Sequence, residues 1–223
     1  VTATLALTLL AWSTLVTVDL VSAPQGLLSR PMVASTVAGL LAGDIAAGML
    51  VGVALELYAL DVLPIGAARY PDYGAAAATA GATAALVPDA PALALAGILG
   101  LPLAILGGWT LHLHRRRTAE SIHRRLARVA AGEARAIWEL QRNGLIRDAG
   151  RGIALGSIGL VCIVAAGAFP WSAFPRMELV GGATVAGGLA AALGGALRSA
   201  GQGARRRWLA VGLATGLLLV LAR

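Results

Sequence analysis

Six ionisable side chains interrupt an otherwise apolar stretch, residues 25–74: Arg30, Asp44, Glu56, Asp61, Arg69 and Asp72. Hydrocarbon cannot solvate such groups, so inside a membrane segment they mark an ion pair, a polar pathway or a bound polar ligand. Asp44, Gly48, Gly52 and Glu56 are each four apart. On a continuous helix they share one face, the two glycines leaving a groove with the Glu56 carboxylate at its far end. A carboxylate in that setting can accept hydrogen bonds from sugar hydroxyls or exchange a proton, or it can pair with Arg30 or Arg69. Ligand contact is the favoured reading, because a polar ligand relieves the cost of burial. Asp44 follows Gly43 directly and reads instead as a helix N-cap.

A second constellation is the turn Gly66, Ala67, Ala68, Arg69, Tyr70, Pro71 and Asp72, opened by glycine and stopped by proline. Backbone of this kind at membrane depth needs partners in protein, water or ligand, so Gly66, Ala67 and Asp72 are candidates to line a cavity. An exposed surface loop is the competing reading. Gln25, between Pro24 and Gly26, offers an amide to a neutral polyol or serves as a surface turn residue. His112 and His114 form an H-x-H pair without an evident third ligand, which argues against a metal site. There is no P-loop, dinucleotide glycine motif or Ser/His/Asp set in a soluble domain. The sequence therefore points to no catalytic residue, no metal and no cofactor, and to a non-enzymatic membrane subunit.

The elements that must position these residues are membrane helices. The 223-residue chain is 58% hydrophobic and 13% charged, with a mean hydropathy of +0.78. A soluble domain carries about a quarter of its residues as charges. The expected fold is all-α: a polytopic helical bundle with broken or re-entrant helices in its N-terminal half. Runs near the ~20-residue length of a spanning helix occupy residues 1–20, 92–111, 152–169, 178–197 and 208–222. The first lacks a basic leader and reads as a retained helix. Between them, residues 32–42, 45–60 and 74–87 are apolar but short, the pattern of discontinuous helices around a transporter site. Trp109 and Trp171 are placed as interfacial anchors. Gly181, Gly188 and Gly195 recur every seven residues, a small-residue face for close helix packing.

The net charge is +7, and its placement speaks against nucleic acid. All 18 basic residues are arginine; ten fall between Arg115 and Arg151, and Arg198 with Arg205 to Arg207 flank a second loop. Basic loops between apolar spans follow the positive-inside rule, which puts both in the cytoplasm. Three regions result: residues 1–111 with the broken helices and site, the Arg-rich segment 112–151, and the C-terminal helices 152–223. Ile122, Leu126, Val129, Ile137 and Leu140 recur at helical spacing, so the Arg-rich segment reads as one or two amphipathic helices on the membrane surface, broken at Gly132. Cys162 stands alone and forms no disulfide within one chain.

Arg30 and Pro31, the GLLAGD of residues 39–44, the G-x-x-x-G-x-x-x-E of residues 48–56 and the GAARYPD of residues 66–72 form an ordered set of about fifty residues. This set resembles the IIC membrane component of the mannose/fructose/sorbose family of the bacterial phosphotransferase system. The resemblance implies an elevator-like subunit that moves a hexose across the inner membrane beside a IID membrane subunit, itself a homo-oligomer within that complex in the lipid bilayer. Soluble IIA and IIB partners would supply the phosphoryl group from their own histidines. Glu56 matches the family's membrane glutamate, and Gly66, Ala67, Pro71 and Asp72 match its GA-x-x-x-PD turn. Gln25 falls in the segment before Arg30 where polar sugar contacts are expected. Two other readings compete: a non-transporting sensor or scaffold that docks partners on the Arg-rich segment, and an unrelated proton-coupled secondary transporter.

Overall fold

A computed structural model describes residues 1–62 and 69–198, with scattered positions between 203 and 214. Gly66 and Ala67 lie outside the described residues, as does most of the expected span 208–222. The described residues form helices and no strands. Among the described residues, four helical runs are long and apolar enough to cross a bilayer: Ala3–Val21, Ala92–Arg124, Ala134–Gly167 and Met177–Ala196. The all-α polytopic expectation holds.

The first spanning helix, α1 (Ala3–Val21), leads through a turn into a pair of short helices, α2 (Pro31–Ala42) and α3 (Ile45–Ala59). Twelve residues at about 1.5 Å each make α2 about 18 Å long, short of a hydrocarbon core about 30 Å thick. The reversal between the two helices is written in two residues. Gly43 takes φ 102°, a left-handed conformation open to glycine, and closes α2. Asp44 then starts α3, its carboxylate accepting from Ala47 N at 3.0 Å. The pair is a re-entrant hairpin, packed so closely that a Cβ on Gly39 would lie 2.7 Å from Gly48 Cα, and one on Gly52 would lie 2.9 Å from Met32 Cα. The glycine groove expected on α3 is therefore filled, by the backbone of α2 rather than by a ligand.

Helix α4 (Tyr73–Leu86) is the centre of the bundle. Between its terminal Tyr73 and Leu86 it is built from alanine, glycine and threonine alone, and every residue from Gly74 to Ala84 is buried. Small side chains let it touch α1, α2, α3, α6 and α8 together. Between membrane helices, such close approach takes the place of a hydrophobic driving force. Next comes a spanning run of α5 (Ala92–Leu95), a π turn at Ala96–Gly100, and α6 (Leu101–Arg124). After α7 (Leu126–Ala130), α8 (Ala134–Gly167) returns along α1. The chain turns at Trp171 and enters α9 (Met177–Ala196), whose Gly181, Gly188 and Gly195 abut Leu93, Leu57 and Asp61 in turn. The seven-residue glycine face is thus the seam with α5 and α3.

The bounds of the Arg-rich segment do not coincide with helix ends: α6 and α8 run through residues 112 and 151 without a break, and the expected break falls at Gly132. No proline interrupts residues 111–151, and Leu111, His114 and Ser121 keep a buried face on α6. The chain reverses at Gly132, φ 73°, where Arg128 pairs with Glu133 and holds that carboxyl below its ordinary range. Trp171, in the turn after α8, is buried in the protein, its indole N–H donating to Ala166 O at 2.8 Å, whereas Trp109 is exposed.

The hairpin contact yields a direct test. A Cβ on Gly48 would stand 2.6 Å from Ser35 O and 2.9 Å from Gly39 Cα, and neither backbone can yield without parting the helices. Gly48→Ala should cost about 1–3 kcal/mol, seen as a lowered thermal transition in detergent. Gly182→Ala, where a Cβ meets nothing within 4 Å, should leave the transition where it is.

Candidate functional site

Sequence reasoning placed the chemistry at Glu56 and the turn ending in Asp72, and the structure puts these carboxylates in different surroundings. Glu56 ends the α3 face at the mouth of the hairpin. It forms an ion pair with Arg30, whose side chain is 48% exposed against 16% for Glu56. Its second oxygen accepts from Met32 N at 3.1 Å. Pro31 opens α2, so Met32 N is one of the orphan donors of that helix, and the negative charge sits at the positive end of the helix dipole. Arg30 itself makes no side-chain cap. Glu56 does that work from the neighbouring helix. The partner is Arg30, not Arg69; Arg69 is exposed beside Tyr70 and Pro71, against α6.

Asp72 is buried, 1% exposed. One oxygen caps α4 through Ala75 N at 3.4 Å, and the other accepts from Arg151 Nη1 at 2.8 Å. Its own N–H donates to Ala104 O at 2.9 Å, tying the turn to α6. Gly107 makes room, since a Cβ there would lie 2.8 Å from Asp72 Cβ. A polar ligand would meet this carboxylate only after Arg151 moved. Gln25 is exposed, with φ 56°, and its amide N–H donates back to Val21 O at 2.6 Å, closing a turn.

The sequence reading missed the other half of this arrangement. Arg151 bridges Asp72 and Asp148, the latter at 3.2 Å, and reaches Thr17 O at 3.4 Å. Asp148 also accepts from Ser22 Oγ at 3.1 Å. Asp19, fully buried at the end of α1, accepts from Gly26 N and Ser29 N, each at 2.8 Å, and so holds the approach to the hairpin. One available signal was the i, i+3 spacing of Asp148 and Arg151 immediately before an apolar run with Gly152 and Gly156. Those two glycines let α8 touch Thr14, Thr17, Leu10 and Ser13 of α1. Such contact buries the charges beside them. Among the described residues there is no cluster of three or more histidine, cysteine, aspartate or glutamate side chains able to hold a metal.

The model of the family described as "PTS system sorbose-specific iic component" matches residues 3–217. The chain belongs to this family. Its members are membrane subunits of phosphotransferase sugar transport, and the several apolar helices fit a multi-pass place in the membrane. A solved structure titled "Structure of membrane protein" is similar over 100% of this chain and 92% of that one, with a TM-score of 0.68 and 23% identity. At that identity the likeness speaks for the fold. No curated protein matches significantly.

The cluster generates its own prediction. Removing Arg151 leaves Asp72 and Asp148 buried without a counter-charge, which costs about 3–5 kcal/mol. Arg151→Ala should therefore lower thermal stability in detergent strongly. Arg135→Ala, which deletes an exposed i, i+4 pair with Glu139, should change it by less than about 1 kcal/mol.

Proposed function

We propose that this IIC-family chain is the sugar-translocating subunit of a mannose-type phosphotransferase complex. It moves a hexose across the bacterial inner membrane beside a IID subunit, and soluble IIA and IIB partners phosphorylate the sugar on the cytoplasmic side. The arginine-bearing ends of α6 and α8 face the cytoplasm in this reading, in keeping with the positive-inside rule. The observation that carries it is the family match over residues 3–217, joined to a re-entrant hairpin with a charged, partly exposed mouth.

At that mouth Glu56 and Arg30 are the sugar contacts. A neutral polyol offers both donors and acceptors, so its hydroxyls can replace the direct ion pair with two charge-assisted hydrogen bonds. Asp72 acts from behind, as the anchor of α4 through Arg151. By the family's GA-x-x-x-PD pattern, Gly66 and Ala67 are further candidates to contact the sugar, with Gln25 in the segment before Arg30; Pro71 is structural.

Vesicles holding this chain with its IID partner should accumulate phosphorylated hexose when the phosphoryl carriers and donor are supplied, and none without them. Glu56→Gln should abolish hexose binding while the complex still assembles. Unchanged binding in that variant would remove Glu56 from the site. Uptake of unmodified sugar driven by a pH gradient would overturn the phosphotransferase reading in favour of proton coupling.

A further inference from the structure

A cavity of about 250 Å³ lies on the outer side of α6, lined by Arg69, Tyr70, Pro71, Ile105, Trp109 and His112. Neither the hairpin mouth nor the buried cluster contributes to it. Its floor is made by close backbone contact, because Gly108 allows the Tyr70 carbonyl and Pro71 to press against α6. Its wall is graded. Ile105 and Trp109, 66% and 60% exposed, stand on the outward face of a spanning helix. His112 continues the same face, seven residues or about 10 Å from Ile105. Beyond it Arg115 packs over the Tyr70 ring at 4.7 Å and donates to the Tyr70 hydroxyl. Arg69, Arg115 and Arg116 all act electrostatically on His112, so the polar end of the cavity carries a concentrated positive potential.

From this geometry we propose that the cavity is a binding site for an anionic phospholipid, with the phosphodiester held by Arg69 and His112 and one acyl chain lying along Trp109 and Ile105. The order of the wall, hydrocarbon then aromatic ring then cation, is the order of a lipid from chain to headgroup. Tryptophan at that level sits where the bilayer interface lies. Basic pockets between membrane helices on the arginine-rich side suit anionic headgroups. A hexose lacks both the charge and the chain that this wall matches. A soluble phosphate lacks the chain.

The test reads Trp109 fluorescence in the full-length protein, reconstituted with its membrane partner into vesicles containing brominated phosphatidylglycerol or brominated phosphatidylcholine. Subtracting the signal of Trp109→Phe isolates this tryptophan from the other four. Phosphatidylglycerol should quench it with about a fivefold preference over phosphatidylcholine, the effect of about one basic residue near the headgroup. Arg69→Gln should remove most of that preference, with circular dichroism confirming the same helix content. Equal quenching by the two lipids would overturn the proposal, as would a preference retained in Arg69→Gln. Loss of the preference on adding millimolar inorganic phosphate would reassign the site to a soluble anion, and protection by hexose alone would reassign it to the sugar. Neither phosphate nor hexose should change the quenching.

Discussion

Arg151 is the hinge-pin of this molecule, in the sense that three separate elements meet at one buried guanidinium. It meets Asp72 at the start of α4, Asp148 on its own helix and the Thr17 carbonyl of α1. A lone charge at this depth is costly, and its attraction to the carboxylates offsets that cost only while all partners stay in place. The cluster thereby specifies where the N-terminus of α4 sits against α1 and α8. Since α4 is the buried centre against which both hairpin helices pack, fixing one end of it fixes the floor on which the hairpin rests.

Around this pin the packing is done by small residues. Gly74, Gly81, Gly152, Gly156 and Gly159 each sit where a Cβ would press on a neighbouring helix. Within a bilayer no hydrophobic gain separates helix contact from lipid contact, so association depends on close fit and on polar groups. The hairpin follows the same logic at smaller scale, with Gly39, Gly48 and Gly52 in its seam and Glu56 closing its mouth over the free N–H of Met32. Rigid behind and ion-paired in front, it offers a polar opening whose charges already have partners. In the proposed sugar site, such an arrangement would present polar groups to a ligand without leaving them bare in its absence.

Much of this was legible in the residues. Gly43 and Asp44 announced a helix break, because a glycine stop followed by a capping carboxylate has few other uses in apolar sequence; that the chain reverses there is seen in the packing of α2 on α3. The glycine period of α9 announced a tight seam. Periodicity failed where it could not say which partner fills a groove: the α3 glycines looked open to a ligand, and α2 fills them. It failed again at the bounds 112 and 151, where the change from apolar to polar residues looked like the end of a span although α6 and α8 continue through both; the break itself falls at Gly132, as its glycine suggested. Asp148 and Arg151 were hidden for a related reason. Charges at the edge of an apolar span read as interfacial until the facing helix is known, and only the approach of α1 through Gly152 and Gly156 puts them inside.

Whether the buried cluster pins α4 is tested most directly by the coupling between Asp72 and Arg151. A double-mutant cycle with Asp72→Asn and Arg151→Gln, read as unfolding stability of the reconstituted protein, isolates their interaction from the separate cost of each change. If the cluster pins α4, the two residues are coupled by about 1–3 kcal/mol, and the double variant loses much less than the sum of the single losses. Additive losses, agreeing within about 0.5 kcal/mol, would show two independent side chains and contradict it.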